Sequence, residues 1–360
     1  MSSDRADPGE SALLERARSG TDAAYQELVE VHRAELHAHC YRILGSVQDA
    51  EDALQDALLR AWRGLAGFEG RSSLRSWLYK IATNAALDVA QRRSRRELPM
   101  SHGPVAAPGE GPGAALLESV WVEPYPDQAF GVTSGFASPE ARYERRESLE
   151  LAFVAALQYL PPLQRAVLIL REVLGFSNKE TADLLDTTVP AVQSALQRGR
   201  AAAQDRIPGR SQQATLRTLG DKRLREVAGR YCDAMERADV DAVVALLTED
   251  ATLAMPPVPT WYRGRPAIAA FLRDWAFNES WRHITTQANG QLAIGCYTFD
   301  PPRGRWVASI LDVLTLDGDR IAEVTCFVTA ELLSRWGSED DRFVGATAFP
   351  RFGLPAMLPD

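Results

Sequence analysis

Apolar residues fall at helical spacing through the first half of the chain and in short strand-like runs towards its end. From Ser46 to Leu65, the residues Ala50, Ala53, Leu54, Ala57, Leu58, Ala61, Trp62 and Leu65 follow the i, i+3, i+4, i+7 series of one buried helix face. The other face carries Glu51, Asp52, Gln55, Asp56 and Arg60, and Gly64 and Gly67 end the helix. A second helix begins after Ser72 and Ser73, whose hydroxyls suit an N-cap, with Leu74, Trp77, Leu78, Ile81, Ala82 and Ala85 as its stripe. Upstream, residues 10–44 read as a short helix broken at Ser19-Gly20 and a longer one capped by Thr21. Tyr25, Leu28, Val29, His32, Leu36 and His39 line the inner face of the longer helix. These helices pack into a small all-α domain.

A second helical block covers residues 139–207. Leu149, Phe153, Ala156, Leu157 and Leu160 form one stripe, and Pro161-Pro162 opens the next helix. In GFSNKETADLLDTTVPAVQSALQRGRAAA, Ser177 and Glu180 make an S-x-x-E capping box. Asp186-Thr187-Thr188 is a turn, Thr188 an N-cap, and Pro190 falls in the first helical turn, where its missing N–H is tolerated. Val192, Ala195 and Leu196 face inward; Gln193, Ser194, Gln197, Arg198 and Arg200 face outward. The pattern predicts a helix-turn-helix, whose second helix fits the DNA major groove.

The remaining 150 or so residues suffice for another domain. Leu224, Val227, Ala228, Tyr231, Cys232 and Met235 form a helix stripe; residues 251–255 read as a strand ended by Pro256-Pro257. WYRGRPAIAAFL is a turn into a helix starting near Pro266. Strand-like runs follow at 281–289, 291–299 and 306–316, then a hairpin turn at Asp317-Gly318-Asp319 and a last strand to Val328. Helix followed by antiparallel sheet is α+β.

Charge changes this picture in two places. The net charge is −8, yet residues 71–96 hold seven basic side chains against Asp88 alone, interleaved with Trp77 and Tyr79. Clustered cations follow phosphates and aromatic rings stack unpaired bases; a solvated basic helix end is the plainer alternative. Residues 97–138 hold five carboxylates, no Lys or Arg, and many Pro and Gly, which predicts an acidic flexible linker. Its one apolar island is WVEPYPD at 121–127. Cys40, Cys232, Cys296 and Cys326 lie far apart without metal-ligand spacing, so no metal, disulfide framework or cofactor is expected. No signal peptide or apolar membrane run is read, so a cytoplasmic protein is expected.

DAEDALQDALLRAW followed by FEGRSSLRSWLYKIATN resembles region 2 of the extracytoplasmic-function sigma factors, a sigma-70 subfamily. LPPLQRAVLILREVLGFS with the helix-turn-helix resembles region 4 of the same factors. The run YCDAMERADVDAVVALLTEDATLAMPP with WYRGRPAIAAFL resembles the SnoaL-like, cone-shaped fold, and the closing FGLPAMLP fits sigma factors that carry such a domain. The implied architecture is multidomain: two all-α sigma domains and a C-terminal α+β SnoaL-like domain. Its expected limits are 1–97 for region 2, 98–138 for the linker, 139–210 for region 4, 219–335 for the SnoaL-like domain and 336–360 for a tail.

The resemblance implies an alternative sigma factor, not an enzyme, with core RNA polymerase and promoter DNA as partners. Asp52, Gln55 and Asp56 would dock on polymerase. Arg71, Arg75, Lys80, Asn84, Arg92 and Arg93 would meet the minus-ten element, with Arg95 and Arg96 also on phosphates. Gln193, Ser194, Gln197, Arg198 and Arg200 would read the minus-thirty-five element. The family often has Lys or Arg at the positions of Gln193 and Ala195, and Gln pairs with adenine where Arg pairs with guanine. In the cone, Tyr231, Trp261 and His283 are a candidate pocket for a small-molecule ligand, with Asp233, Asp250 and Asp312 as further polar groups. The SnoaL-like domain is expected to regulate the sigma regions from within the chain. Two other readings stay open: a SnoaL-like enzyme or sensor acting on a small molecule, and a DNA-binding regulator that never joins polymerase.

Overall fold

A computed structural model describes residues 8–116, 121–127, 147–204, 206, 211–335 and 348–359. The chain divides into two compact units that do not follow its linear order: residues 1–95 with 156–207, and residues 96–155 with 208–360.

The first unit is helical. α1 (Pro8–Arg18), α2 (Asp22–Leu44), α3 (Val47–Gly64) and α4 (Leu74–Ala90) form the N-terminal bundle. Ser46 accepts a bond from the Asp49 amide and Ser73 one from the Ser76 amide, each at 3.1 Å. Caps of this kind stabilise a helix by about 1 kcal/mol. Thr21 sits at the cap of α2 in extended backbone, but its side chain makes no capping bond. The α3 stripe is buried from Ala50 to Ala61, as its period requires. Trp62 instead lies at the rim, 4.8 Å from the Tyr25 ring. α2 and α4 are also joined by a polar contact: His39 Nε2 lies 2.8 Å from Thr83 Oγ1.

The same unit contains the second helical block from residue 156 on, while residues 151–155 of its first helix belong to the other unit. α5 (Leu151–Gln158) precedes α6 (Pro162–Leu168), which runs on as a wider turn over Ile169–Val173. α7 (Asn178–Leu184) and α8 (Val189–Ala203) form the helix-turn-helix. Both expected caps are made: the Ser177–Glu180 capping box and Thr188 Oγ1 accepting from Ala191 N at 3.3 Å. Asp186 turns the chain with φ +48°, a left-handed conformation that Asp tolerates. Val192, Ala195 and Leu196 close on Val167 and Ala182.

The second unit is built on a seven-stranded sheet. Its helices are α9 (Gln212–Glu236), kinked at Gly220, then α10 (Val240–Leu246), α11 (Arg265–Asp274) and α12 (Ala330–Arg335). The strands are β1 (Leu247–Ala254), β2 (Trp261–Arg263), β3 (Trp281–Ala288), β4 (Gln291–Asp300), β5 (Arg305–Asp317), β6 (Arg320–Val328) and β7 (Met357–Leu358). The order is β2-β1-β6-β5-β4-β3, with β7 also on β5. β1 and β6 are parallel, and every other pair is antiparallel. Asp317 pairs with Arg320, so Gly318-Asp319 is a two-residue hairpin loop. The stretch read as a turn at Trp261 is a short strand, because its backbone pairs with Leu253 and its neighbours on β1.

Two stretches read as separable from this domain are bonded into its unit. Phe349, Phe352 and Leu354 are buried, and β7 pairs with Trp306 and Val307. They pack where β4 has Gly295: a Cβ there would lie 2.5 Å from Leu354 and 3.0 Å from Phe349. The linker is equally engaged. The Ala106 amide donates to Trp261 O at 2.9 Å, the Leu116 amide to Pro257 O at 2.9 Å, and Tyr262 Oη to Glu110 O at 2.8 Å. Trp121, Val122 and Tyr125 are buried, and the Tyr125 amide and carbonyl both bond Asn289 at the β3–β4 turn. Composition gave an unstructured tether here. Apart from a short helical turn at Pro99–His102 and a turn at Ala107 to Glu110, this Pro-rich stretch has few bonds of its own and satisfies its amides on another element. The rest of the linker and of the tail lies outside the described residues.

Candidate interfaces and a cavity

The polymerase-facing candidates Asp52, Gln55 and Asp56 are exposed on the polar face of α3. Gln48 donates to Asp52 Oδ1 at 3.3 Å. Arg60 bridges two helices, pairing with Asp56 at 2.6 Å and with Asp88 of α4 at 3.1 Å.

The DNA candidates on and around α4 fall into two groups. Arg71 and Arg92 are exposed, Arg71 pairing with Glu69 at 3.0 Å, and Asn84 is half-buried. Arg93 pairs with Asp49 at 3.2 Å, and Arg95 lies over the Tyr159 ring at 4.4 Å. Arg75 and Lys80 are committed to internal partners. Arg75 forms a two-pronged pair with Glu35 and lies 4.7 Å from the Tyr79 ring centre and 5.6 Å from that of Phe176. Burial alone would raise the Glu35 carboxyl; the His32 hydrogen bond and the Arg75 guanidinium bring it down to about 2. Lys80 Nζ lies 2.5 Å from Asp186 Oδ1 and donates to Asp183 O at 3.1 Å. Tyr79 meets Phe176 edge to face at 5.5 Å. Helix α7 and its turn therefore cover part of the α4 surface. Arg165 extends the contact, donating to Ile43 O and to Gln158 Oε1. Arg96 departs from its expected role. It is 5% exposed and donates to the Trp121 carbonyl at 2.9 Å, which removes it from any phosphate-tracking surface.

On α8 the outward residues stand clear. Gln193, Ser194, Gln197, Arg198 and Arg200 are all exposed. Arg198 bonds Ser194 one turn back, and Arg200 pairs with Glu172 at 2.6 Å.

The sheet of the second unit and helices α9 and α11 enclose a cavity of about 460 Å³. Tyr231 lines it. Trp261 instead donates its indole N–H to Gly103 O at 2.9 Å, and His283 sits behind Trp281 with Nδ1 3.4 Å from Glu236. Asp233 and Asp250 are exposed. Two carboxyls line the wall, Glu279 and Asp312, and Cys296 and Cys326 line it as well. Tyr231 Oη donates to Asp312 Oδ2 at 2.9 Å, and Cys296 Sγ lies 3.4 Å from the same oxygen. Burial raises Asp312 above the usual carboxylate range and pushes the Tyr231 hydroxyl and both thiols well up. Burial lowers His283, against the pull of Asp312 and Glu236. The two cysteines gave no usable sequence signal, because strand alternation alone puts them on this face. Among the described residues no group of His, Cys, Asp or Glu is arranged to hold a metal, and no helix is long and apolar enough to cross a membrane.

These features define a promoter-recognition subunit with an added cone-shaped domain, and the comparisons agree. Residues 28–96 match Sigma-70 region 2, residues 150–202 match Sigma-70, region 4, and residues 228–324 match the SnoaL-like domain. The chain is 40% identical over 332 residues to the ECF RNA polymerase sigma factor SigG of Mycobacterium tuberculosis, covering 91% of this chain and 83% of that one. It is 26% identical over 196 residues to the ECF RNA polymerase sigma factor SigW of Bacillus subtilis, 54% of this chain and 94% of that one. The crystal structure of the M. tuberculosis extracytoplasmic function sigma factor SigJ shares the fold, with a TM-score of 0.53 at 22% identity over 84% of this chain and 95% of that one. The chain belongs to the extracytoplasmic-function sigma factors of the sigma-70 family, and it is an alternative sigma factor that carries a SnoaL-like domain.

Proposed function

We propose that the SnoaL-like domain regulates this sigma factor from within the same chain, and that it does so by holding the segment between the two sigma regions. The observation that carries this is the ladder of bonds from residues 103–116 and 121–127 to the C-terminal unit. A segment bound in this way is not free to follow a path through polymerase. In this reading Asp52, Gln55 and Asp56 dock on core RNA polymerase, Arg71, Arg92, Arg93 and Asn84 meet the minus-ten element, and α8 reads the minus-thirty-five element. Arg75 and Lys80 join only after α7 has left α4. The protein works in the cytoplasm, where polymerase is, and the sigma regions catalyse nothing themselves.

Run-off transcription with core polymerase tests both parts. Reversing charge at Asp52 and Asp56 abolishes transcription while the circular dichroism spectrum is kept. Truncation near Arg210 changes transcription severalfold at equal concentration, since it releases residues 97–127. Normal core binding by the charge-reversed protein removes the docking assignment; equal output from the truncated and full-length proteins removes the regulatory one. A second reading rests on the cavity, which has the size of a small-molecule site: the domain senses a ligand.

A further inference from the structure

The sequence holds a single Asn-Gly pair, Asn289-Gly290. It is the two-residue turn between β3 and β4, where Ala288 pairs with Gln291. Both residues are left-handed, with φ +55° and +67°, as a type I′ turn requires. Asn-Gly is common in such turns, so the pair alone says nothing further. Burial sets this one apart, because a turn ordinarily runs over the surface and Asn289 is fully buried. The Tyr125 amide donates to Asn289 Oδ1 at 2.8 Å, and Asn289 Nδ2 donates to the Leu149 carbonyl at 2.8 Å. The Asn289 amide donates to Tyr125 O at 2.9 Å, and the Gly290 amide to Asp127 Oδ2 at 2.6 Å. The Gly290 carbonyl accepts from Gln213 Nε2.

An Asn-Gly pair is open to a spontaneous reaction. The Gly290 nitrogen can attack Asn289 Cγ, since no side chain on residue 290 hinders the approach. The N–Cγ bond forms, the Cγ–Nδ2 bond breaks, and the Gly290 proton leaves with the amide nitrogen as ammonia. Water then opens the cyclic imide. Opening at Cγ leaves aspartate; opening at the main-chain carbonyl leaves isoaspartate, with one extra carbon in the main chain. One water enters, one ammonia leaves, and no electrons are transferred. In the folded chain the Asn289 amide is held at both ends, so its carbon cannot turn onto the Gly290 nitrogen, whose proton is held by Asp127. Those restraints come from residues 125, 127 and 149, not from the hairpin itself. The product opposes their return. A carboxylate has no N–H to give the Leu149 carbonyl, and it would be buried one residue from the amide that Asp127 occupies.

We propose that Asn289-Gly290 is a deamidation site that residues 121–127 keep shut, and that its conversion fixes the open state of any chain whose segment has left the turn. The proposal rests on the reading that this segment leaves the domain when the sigma regions are used. A reversible hold thereby acquires a slow one-way step.

The test uses the full-length protein, incubated in mildly alkaline buffer with and without urea. Conversion at Asn289 is read by peptide mass, from the gain of an amide becoming an acid, and by isoaspartyl methylation. The folded chain converts far more slowly than the chain in urea. Asp127→Ala raises the folded rate about tenfold, because the open fraction grows by the factor of one buried hydrogen bond. Asp127→Asn keeps an acceptor for the Gly290 amide and stays within about threefold by the same argument. The product mimic Asn289→Asp speeds hydrogen exchange at the Tyr125 amide about tenfold, since the Leu149 carbonyl has lost its donor. A folded rate equal to that in urea overturns the gate on the unmodified chain, whatever the variants do. A rate that Asp127→Ala leaves unchanged or slows overturns it as well, and both outcomes leave the regulatory reading intact. Full protection of the Tyr125 amide in Asn289→Asp overturns the one-way step. Loss of that protection with run-off transcription equal to the parent keeps the modification site and overturns the regulatory reading instead.

Discussion

Helices α4 and α8 carry the residues assigned to the two promoter elements, and they are in opposite states. On α8, five outward side chains stand exposed beside a turn capped by Thr188. On α4, Arg75 and Lys80 are engaged, the first by Glu35 and Phe176, the second by Asp186 and the Asp183 carbonyl. The cover over α4 is α7, the first helix of the very motif that presents α8. Under the proposed assignment the outer face of α8 lies at the surface, while Arg75 and Lys80 of α4 become available only on separation. Basic clustering in a sequence marks where anions are welcome, and it does not say whether a carboxylate of the same chain is already there.

The largest way to break this comparison is to remove the apolar part of the cover. Phe176 is 6% exposed and touches both Tyr79 and Arg75. Phe176→Ala is expected to cost about 3 kcal/mol of packing and to raise binding of single-stranded minus-ten DNA by the free protein. Unchanged single-strand affinity in a folded variant would show that α7 is no barrier. The exposed helix gives the next effect. Gln193→Arg places a guanidinium on the outer face of α8 and shifts preference toward guanine at one position by about 1–3 kcal/mol. A binding profile that is flat across all single-base variants of the minus-thirty-five element rejects this helix register.

The smallest effect separates the two helices by pH. Burial lowers the His39 imidazole, under α4, to about 3, and its Nε2 is held by Thr83. A base whose folded pKa is depressed contributes stability above its unfolded value of 6.5, and that stability is lost as pH falls towards about 3. Between pH 7 and 6 the loss is under about 1 kcal/mol. Amide exchange on α4 should therefore quicken relative to α8 over that interval, after correction for intrinsic rates. Parallel behaviour of the two helices would mean that His39 does not titrate out of the fold.

Much of the fold was legible because its signals are local. The α3 and α8 stripes, the Ser177–Glu180 box, the Thr188 cap and the Gly318-Asp319 hairpin each lie within a few residues of the backbone they control. Outward faces followed from the same periods, so the exposure of Asp52, Gln55, Asp56 and the five α8 residues was readable in advance. The cavity was partly readable. Tyr231 was within reach of the helix stripe, but Trp261 and His283 were aromatic and polar residues with no register to place them, and they turn to Gly103 and Glu236 instead.

What the sequence by itself determined is thus the set of elements and the family to which they belong, since periodicity, caps and the two sigma blocks are properties of short stretches. The tertiary structure alone decided which partners those elements take. Lys80 meets Asp186 across 106 residues, Tyr262 meets the Glu110 carbonyl across 152, and Arg282 meets the Pro359 carbonyl across 77. A Pro-rich acidic stretch and an apolar tail carry no period of their own, so nothing local says where their amides and rings will go. They settle where the folded sheet leaves an open edge at Trp306, a bare glycine at Gly295 and the ring face of Trp275, and those three features come together only once the sheet has formed.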